Sequence, residues 1–188
     1  NIVLYIPLNI YTGYFSMNNL VPNIIKDIVF DGTLYHLWYL PASIIGASIA
    51  YFLVKKLGLK YSLVITIVIY VIGMFGDSYY GFLEKIPLLK NLYGYIFEVS
   101  DYTRNGIFFA PVFFILGGII SNKSNYMSTK NSLIGFLISF LLMLCEGMFL
   151  HKLGVQRHDS MYIMLLPCMY FLFTALTFLK GRSEEHTS

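Results

Sequence analysis

The chain has 188 residues, 57% hydrophobic, 18% aromatic and 12% charged, with a net charge of +3. Soluble domains carry roughly 25% charged residues, so a water-soluble enzyme is excluded. A nucleic-acid-binding domain is excluded too, because the basic residues form no dense run with interleaved aromatics. At about 20 residues per span the length allows no more than six or seven membrane crossings and no separate soluble domain.

Asn1 to Phe15 reads as the outer part of a first span, being too short at about 1.5 Å per residue to cross a roughly 30 Å hydrocarbon core. The chain begins at Asn1 inside an apolar run without a methionine, so an upstream part is expected. Leu20 to Phe30 places Leu20, Ile24, Ile25, Ile28 and Val29 on one helical face, with Lys26 and Asp27 opposite. That pattern predicts a helix lying in the interface. A second span is expected over Leu37 to Val54, with Pro41 tolerated in its first turn. Gly46, Ala47, Ser48 and Ala50 supply a small-residue face for close packing.

The third span is read over Ser62 to Gly76 and the fourth over Gly106 to Ser121. Between them Asp77 to Asn105 is a loop with a short surface helix over Pro87 to Val99. The fifth span, Ser132 to Leu150, carries Glu146 inside it. The sixth runs from Met161 to Leu179, with a kink expected at Pro167. The fold class is therefore all-α, a polytopic integral membrane helix bundle of about six spans in one domain over 1–181. Residues 182–188, RSEEHTS, are what AGA TCG GAA GAG CAC ACG TCT encodes, the start of a common sequencing-library adapter. They read as a scar outside the domain.

Lys55, Lys56 and Lys60, then Lys123 and Lys130, and finally Lys180 lie in regions without acids. Basic residues are equally numerous on the two sides, but these lie in the shorter loops close to span ends, which makes that side cytoplasmic. Cys145 and Cys168 sit in apolar runs, where cysteine acts as a small hydrophobe, and neither a disulfide nor a metal site is expected.

With this orientation, polar residues from most spans meet at the outer rim. Asn9 and Thr12 end the first span, and His36 with Trp38 opens the second. His36 is either a proton-transfer group or an interfacial anchor beside the aromatics. Asp77 closes the third span. Arg104 and Asn105 open the fourth, Arg104 either holding a carboxylate or oxyanion with its forked donors or pairing with Asp101. Glu146 is costly in lipid and must face the bundle, as general acid or base, as ligand contact, or as a tie to Arg104 or Arg157. Arg157, His158 and Asp159 open the sixth span, with Asp159 either capping that helix or orienting His158.

The stretches DGTLYHLWYL, GDSYYG, SDYTRNGIFFAPVFFILGG and QRHDSMY resemble the membrane-bound acyltransferase type three family. Within it, the chain is most similar to the membrane domain preceding the racemase domain of vancomycin-resistance serine racemases. The resemblance covers Asn1 to about Gly181 and implies a multi-pass protein of the bacterial plasma membrane. It implies transfer of an acyl group from cytoplasmic acyl-CoA, such as acetyl-CoA, to a hydroxyl of an extracytoplasmic cell-wall or sugar acceptor, without a metal. The family's signature arginine and histidine fall upstream of Asn1, so only His36 and Trp38 carry over. In that reading His36 and Glu146 are the catalytic candidates. Trp38, Asp77, Arg104, Asn105, Arg157, His158 and Asp159 line the acceptor pocket. The closer relatives imply an alternative, a module that binds or imports L-serine for a fused racemase, with Arg104 on the carboxylate and Glu146 or Asp159 on the ammonium. A plain anchor for a soluble domain is the third possibility.

Overall fold

The computed structural model describes residues 2–13, 20–27, 30, 37–122 and 127–184, and every regular element among them is helical. In chain order these are α1 (Ile2–Tyr11), α2 (Leu20–Lys26), α3 (Tyr39–Phe75), α4 (Tyr80–Leu83), α5 (Pro87–Val99), α6 (Ala110–Asn122), α7 (Thr129–Leu153) and α8 (Leu165–Glu184). His36 lies outside the described residues, as do Asp31 and Lys123.

The 37-residue α3 is two arms. Gly58 interrupts it with φ 74° and ψ 166°, a left-handed φ that glycine adopts without a Cβ penalty. Residues on both arms then meet the same end of α6. A Cβ on Gly46 would lie 2.4 Å from the Ala110 Cβ, and one on Gly73 would lie 2.6 Å from the Phe108 Cβ. Leu59, next to the break, lies instead beside Gly118 near the other end of α6. The chain therefore reverses at Gly58, and residues 39–57 and 59–75 run antiparallel along α6. The stretch from Lys55 to Tyr61, read from sequence as a loop, stays helical except at this glycine, because one residue with positive φ is enough to turn the backbone.

By length and composition α3 and α7 are long and apolar enough to cross a membrane, while α6 and Leu165–Thr177 of α8 are shorter apolar helices. On α7 the large apolar side chains face outward, with Leu141 59% and Met148 66% exposed. Gly154 ends α7 in the left-handed conformation and donates to the Leu150 and His151 carbonyls. The surface helix α5 starts with Pro87 as expected. Its buried Tyr93 donates to the Ile72 carbonyl at 2.7 Å and pins it to the second arm of α3.

Two helices start later than the hydropathy suggests. The one expected from Gly106 begins at Ala110, and the one expected from Met161 begins at Leu165. Pro167 thus falls in the first turn of α8, where an amide would have no intrahelical acceptor; it favours the helix start and produces no kink. The core lies beneath these late starts, where Tyr70, Met74, Val112 and Met161 pack together with Phe109 and Phe113 against them.

Candidate functional site

Residues 155–164 cross the ends of the helices as extended backbone and turns, and their amides need acceptors. Carboxylates provide them. Asp77, just past α3, accepts through Oδ1 from the Ser160 amide at 2.7 Å, the Met161 amide at 3.0 Å and the Ser78 hydroxyl at 2.9 Å. Its backbone carbonyl takes the Arg157 amide at 3.1 Å. Glu146, on α7, accepts the Ile163 amide at 2.7 Å through Oε1 and the Met164 amide at 2.9 Å through Oε2, and the Tyr79 hydroxyl donates to Oε1. Tyr70 completes the clasp by donating to the Tyr162 carbonyl at 2.8 Å. The first amides of a helix have no acceptor within it, and Glu146 supplies one to the Ile163 and Met164 amides immediately ahead of Leu165. Glu146 does not tie Arg104 or Arg157 through any of these bonds; it holds the polypeptide at the entrance of α8, where a negative charge also suits the helix dipole.

Over this clasp lies a compact charged cluster. The Arg104 Nη1 donates to Ser160 Oγ at 3.2 Å, and the guanidinium lies 4.5 Å from the Tyr102 ring centre and 5.3 Å from that of Trp38. The His158 ring lies against Tyr102 at a 40° tilt with centres 4.4 Å apart, and Arg157 lies over Phe97 at 3.4 Å. Asp77 Oδ2, Arg157 Nη1 and His158 Nε2 are buried polar atoms without a hydrogen-bond partner. Such atoms are costly and mark a place where something polar fits.

Burial dominates the electrostatics. It pushes the Asp77 carboxyl above its ordinary range, although the Ser160 and Met161 amides, Ser78 and His158 all pull it down. It pushes His158 below the usual histidine value, assisted by Arg157 and Arg104 and opposed by Asp77 and Asp159. Burial thus favours the uncharged forms of both Asp77 and His158 beside the two arginines.

The structure therefore gathers Trp38, Asp77, Arg104, Arg157 and His158 from the sequence reading. Asn105 belongs to the scaffold: its Oδ1 accepts the Ile107 and Phe108 amides at 2.9 and 3.1 Å, and its Nδ2 donates to the Tyr102 carbonyl and Ser100 Oγ. The residue caps the turn that leads into α6. Asp159 is exposed and stands six positions before Leu165, outside the N-cap position of α8. Asp101 pairs with Lys26 at 2.7 Å. Tyr79, Tyr102 and Ser160 were not singled out from sequence, although each sits in or beside a stretch that carries the resemblance. Among the described residues no group of three His, Cys, Asp or Glu side chains could hold a metal ion.

The sequence profile of the acyltransferase domain matches residues 1–186. The chain belongs to this acyltransferase domain family. Relatives of this acyltransferase-family chain include two proteins of Enterococcus faecalis named amino-acid racemase. One is 54% identical over 96% of this chain and 25% of its own length, the other 40% identical over 94% and 25%. A protein of Enterococcus gallinarum named serine/alanine racemase is 34% identical over 91% of the chain and 24% of its own length. The chain spans about a quarter of these relatives. No solved structure matches it.

Proposed function

We propose that this chain is the membrane module of a larger protein in which it binds a small amino acid, serine in the first instance, and admits it to a fused racemase domain. The observation that carries this reading is the buried, unpartnered Asp77 Oδ2 in the same cluster as Arg104, Arg157 and His158. A zwitterion matches both signs. The arginines offer forked donors to its carboxylate, and Asp77 offers the free oxygen to its ammonium. Asp77 suits the ammonium better than Glu146, whose oxygens both already accept backbone amides, and better than the exposed Asp159. The names of the relatives support the choice of ligand.

The setting we infer is the bacterial plasma membrane, crossed about six times. The antiparallel arms of α3, the outward apolar face of α7 and the lysines flanking Gly58 support this reading. His36 remains a candidate at the same rim from its place in HLWYL. The test is uptake of labelled L-serine by vesicles containing the full-length protein. Arg104→Gln should abolish uptake and Asp77→Asn should weaken it; uptake equal to that of empty vesicles would refute the reading.

The family match over residues 1–186 favours a second reading, O-acyl transfer from acyl-CoA to an envelope hydroxyl. Here the neutral His158 takes the hydroxyl proton on Nε2 while the oxygen attacks the acyl carbonyl, Arg104 steadies the oxyanion, and the coenzyme thiolate leaves. Acyl-CoA-dependent labelling of cell-wall material without serine uptake would select it.

A further inference from the structure

Beside the charged mouth an apolar groove of about 690 Å³ runs down the bundle between the first arm of α3, α6 and α8. Phe109, Phe113 and Gly117 form its floor, Ser43 one wall, and Met169 and Phe173 the other. It spans eight residues of α6, so it is about 12 Å long. No polar atom needs a partner there, because the Ser43 hydroxyl donates to the Tyr39 carbonyl at 2.6 Å. The groove opens outward past Phe114, which is 43% exposed. Its size falls within the roughly 300–1,000 Å³ usual for ligand sites.

A positive charge stands at one end. Phe109, at the head of the floor, meets the Trp38 ring edge-on at 5.7 Å, and the Arg104 guanidinium lies 5.3 Å from that same ring. From Arg104 downward the surface thus changes from cationic to aromatic to aliphatic within one helix-to-helix cleft. That sequence of surfaces fits an anionic head followed by a hydrocarbon chain.

We propose that the groove is a binding site for one anionic phospholipid, its phosphate near Arg104 and an acyl chain along Phe109, Phe113 and Gly117. Charge complementarity selects this occupant over a zwitterionic lipid, since only the former gains net attraction from the guanidinium. The site shares Arg104 with the amino-acid reading of the mouth, but it does not depend on that reading and requires only that the bundle lie in a membrane.

Trp38 is the single tryptophan of the chain and stands at the junction of head and tail sites, so its fluorescence reports occupancy. The chain would be placed in phosphatidylcholine vesicles containing increasing fractions of phosphatidylglycerol or phosphatidylcholine brominated near the glycerol end of the acyl chain. One favourable charge contact lowers the half-quenching fraction for the anionic lipid about fivefold. Arg104→Gln should bring the curves together. Gly117→Leu should do the same while leaving the mouth untouched: a Cβ at Gly117 meets nothing within 4 Å, so the added side chain starts in open space on the floor of the groove. Equal quenching by both lipids in the unaltered chain would mean an ordinary boundary lipid and would overturn the proposal. An unchanged preference in Gly117→Leu would overturn it as well.

Discussion

Glu146 accepts the amide hydrogen of Ile163 at 2.7 Å, so a carboxylate inside one helix holds the backbone from which the next helix starts. Asp77 repeats the arrangement a few residues earlier, at Ser160 and Met161. Buried backbone cannot leave its amides without acceptors, and one carboxylate can accept several donors at once. The segment that carries Arg157 and His158 is thereby fastened from below. A fastened segment can present charged side chains in a defined geometry, which a free loop cannot.

The Glu146 clasp should weigh heavily on stability. Hydrogen bonds to a charged partner contribute about 1.5–3 kcal/mol each, and Glu146→Ala strands the Ile163 and Met164 amides. A loss of about 3 kcal/mol is expected, with Glu146→Gln losing less because it keeps one acceptor oxygen. Thermal denaturation in detergent measures both; an unchanged midpoint for Glu146→Ala would sink the assignment.

Asp77 should make the fold less stable as the pH rises. Its folded pKa lies above the ordinary 3.8, chiefly through burial, so between the two values the folded state holds more proton than the unfolded state. The stabilisation is complete below 3.8 and is lost as pH climbs through the raised folded value. Asp77→Asn keeps an acceptor for the Ser160 and Met161 amides but cannot ionise, so that slope should vanish from a pH series of denaturation curves. Identical slopes in the two proteins would contradict the account.

His158 should act in the opposite sense. Burial leads in lowering its pKa below 6.5, Arg157 and Arg104 add to it, and Asp77 and Asp159 oppose it. The unfolded chain protonates first, so this contribution is full above 6.5 and fades as pH falls through the lower folded value. A carbon-bound imidazole proton resonance that is absent in His158→Gln should titrate below 6.5 in the folded protein. Titration above that value would show that the neighbouring acids outweigh burial.

Two glycine-to-alanine changes should differ in sign. At Gly46 a Cβ would lie 2.4 Å from the Ala110 Cβ, so Gly46→Ala forces the first arm of α3 away from α6 at a cost of roughly 1–3 kcal/mol. At Gly94, inside α5, a Cβ meets nothing within 4 Å. Gly94→Ala should therefore stabilise by about 0.5–1 kcal/mol through the restricted unfolded chain. Melting temperatures that move together would remove the close α3–α6 contact from the argument.

The helical class, the surface helix from Pro87 and the closeness of Asp77, Arg104, Arg157 and His158 were legible in the sequence by itself. Run length, side-chain polarity and the placement of lysines are local quantities, and the cost of a charge in lipid forces such groups toward a shared rim. Only the tertiary structure decided what each polar group does there. Met161 to Met164 continue the apolar run into α8, and nothing local shows that Asp77, 83 and 84 residues away from its donors Ser160 and Met161, and Glu146, at Ile163 and Met164, take amides from this segment. Asn105 looks like a rim residue until its side chain is saturated by its own turn. Apolarity belongs to a residue, but a hydrogen-bond partner belongs to a place in space, and that place exists only once the helices have packed.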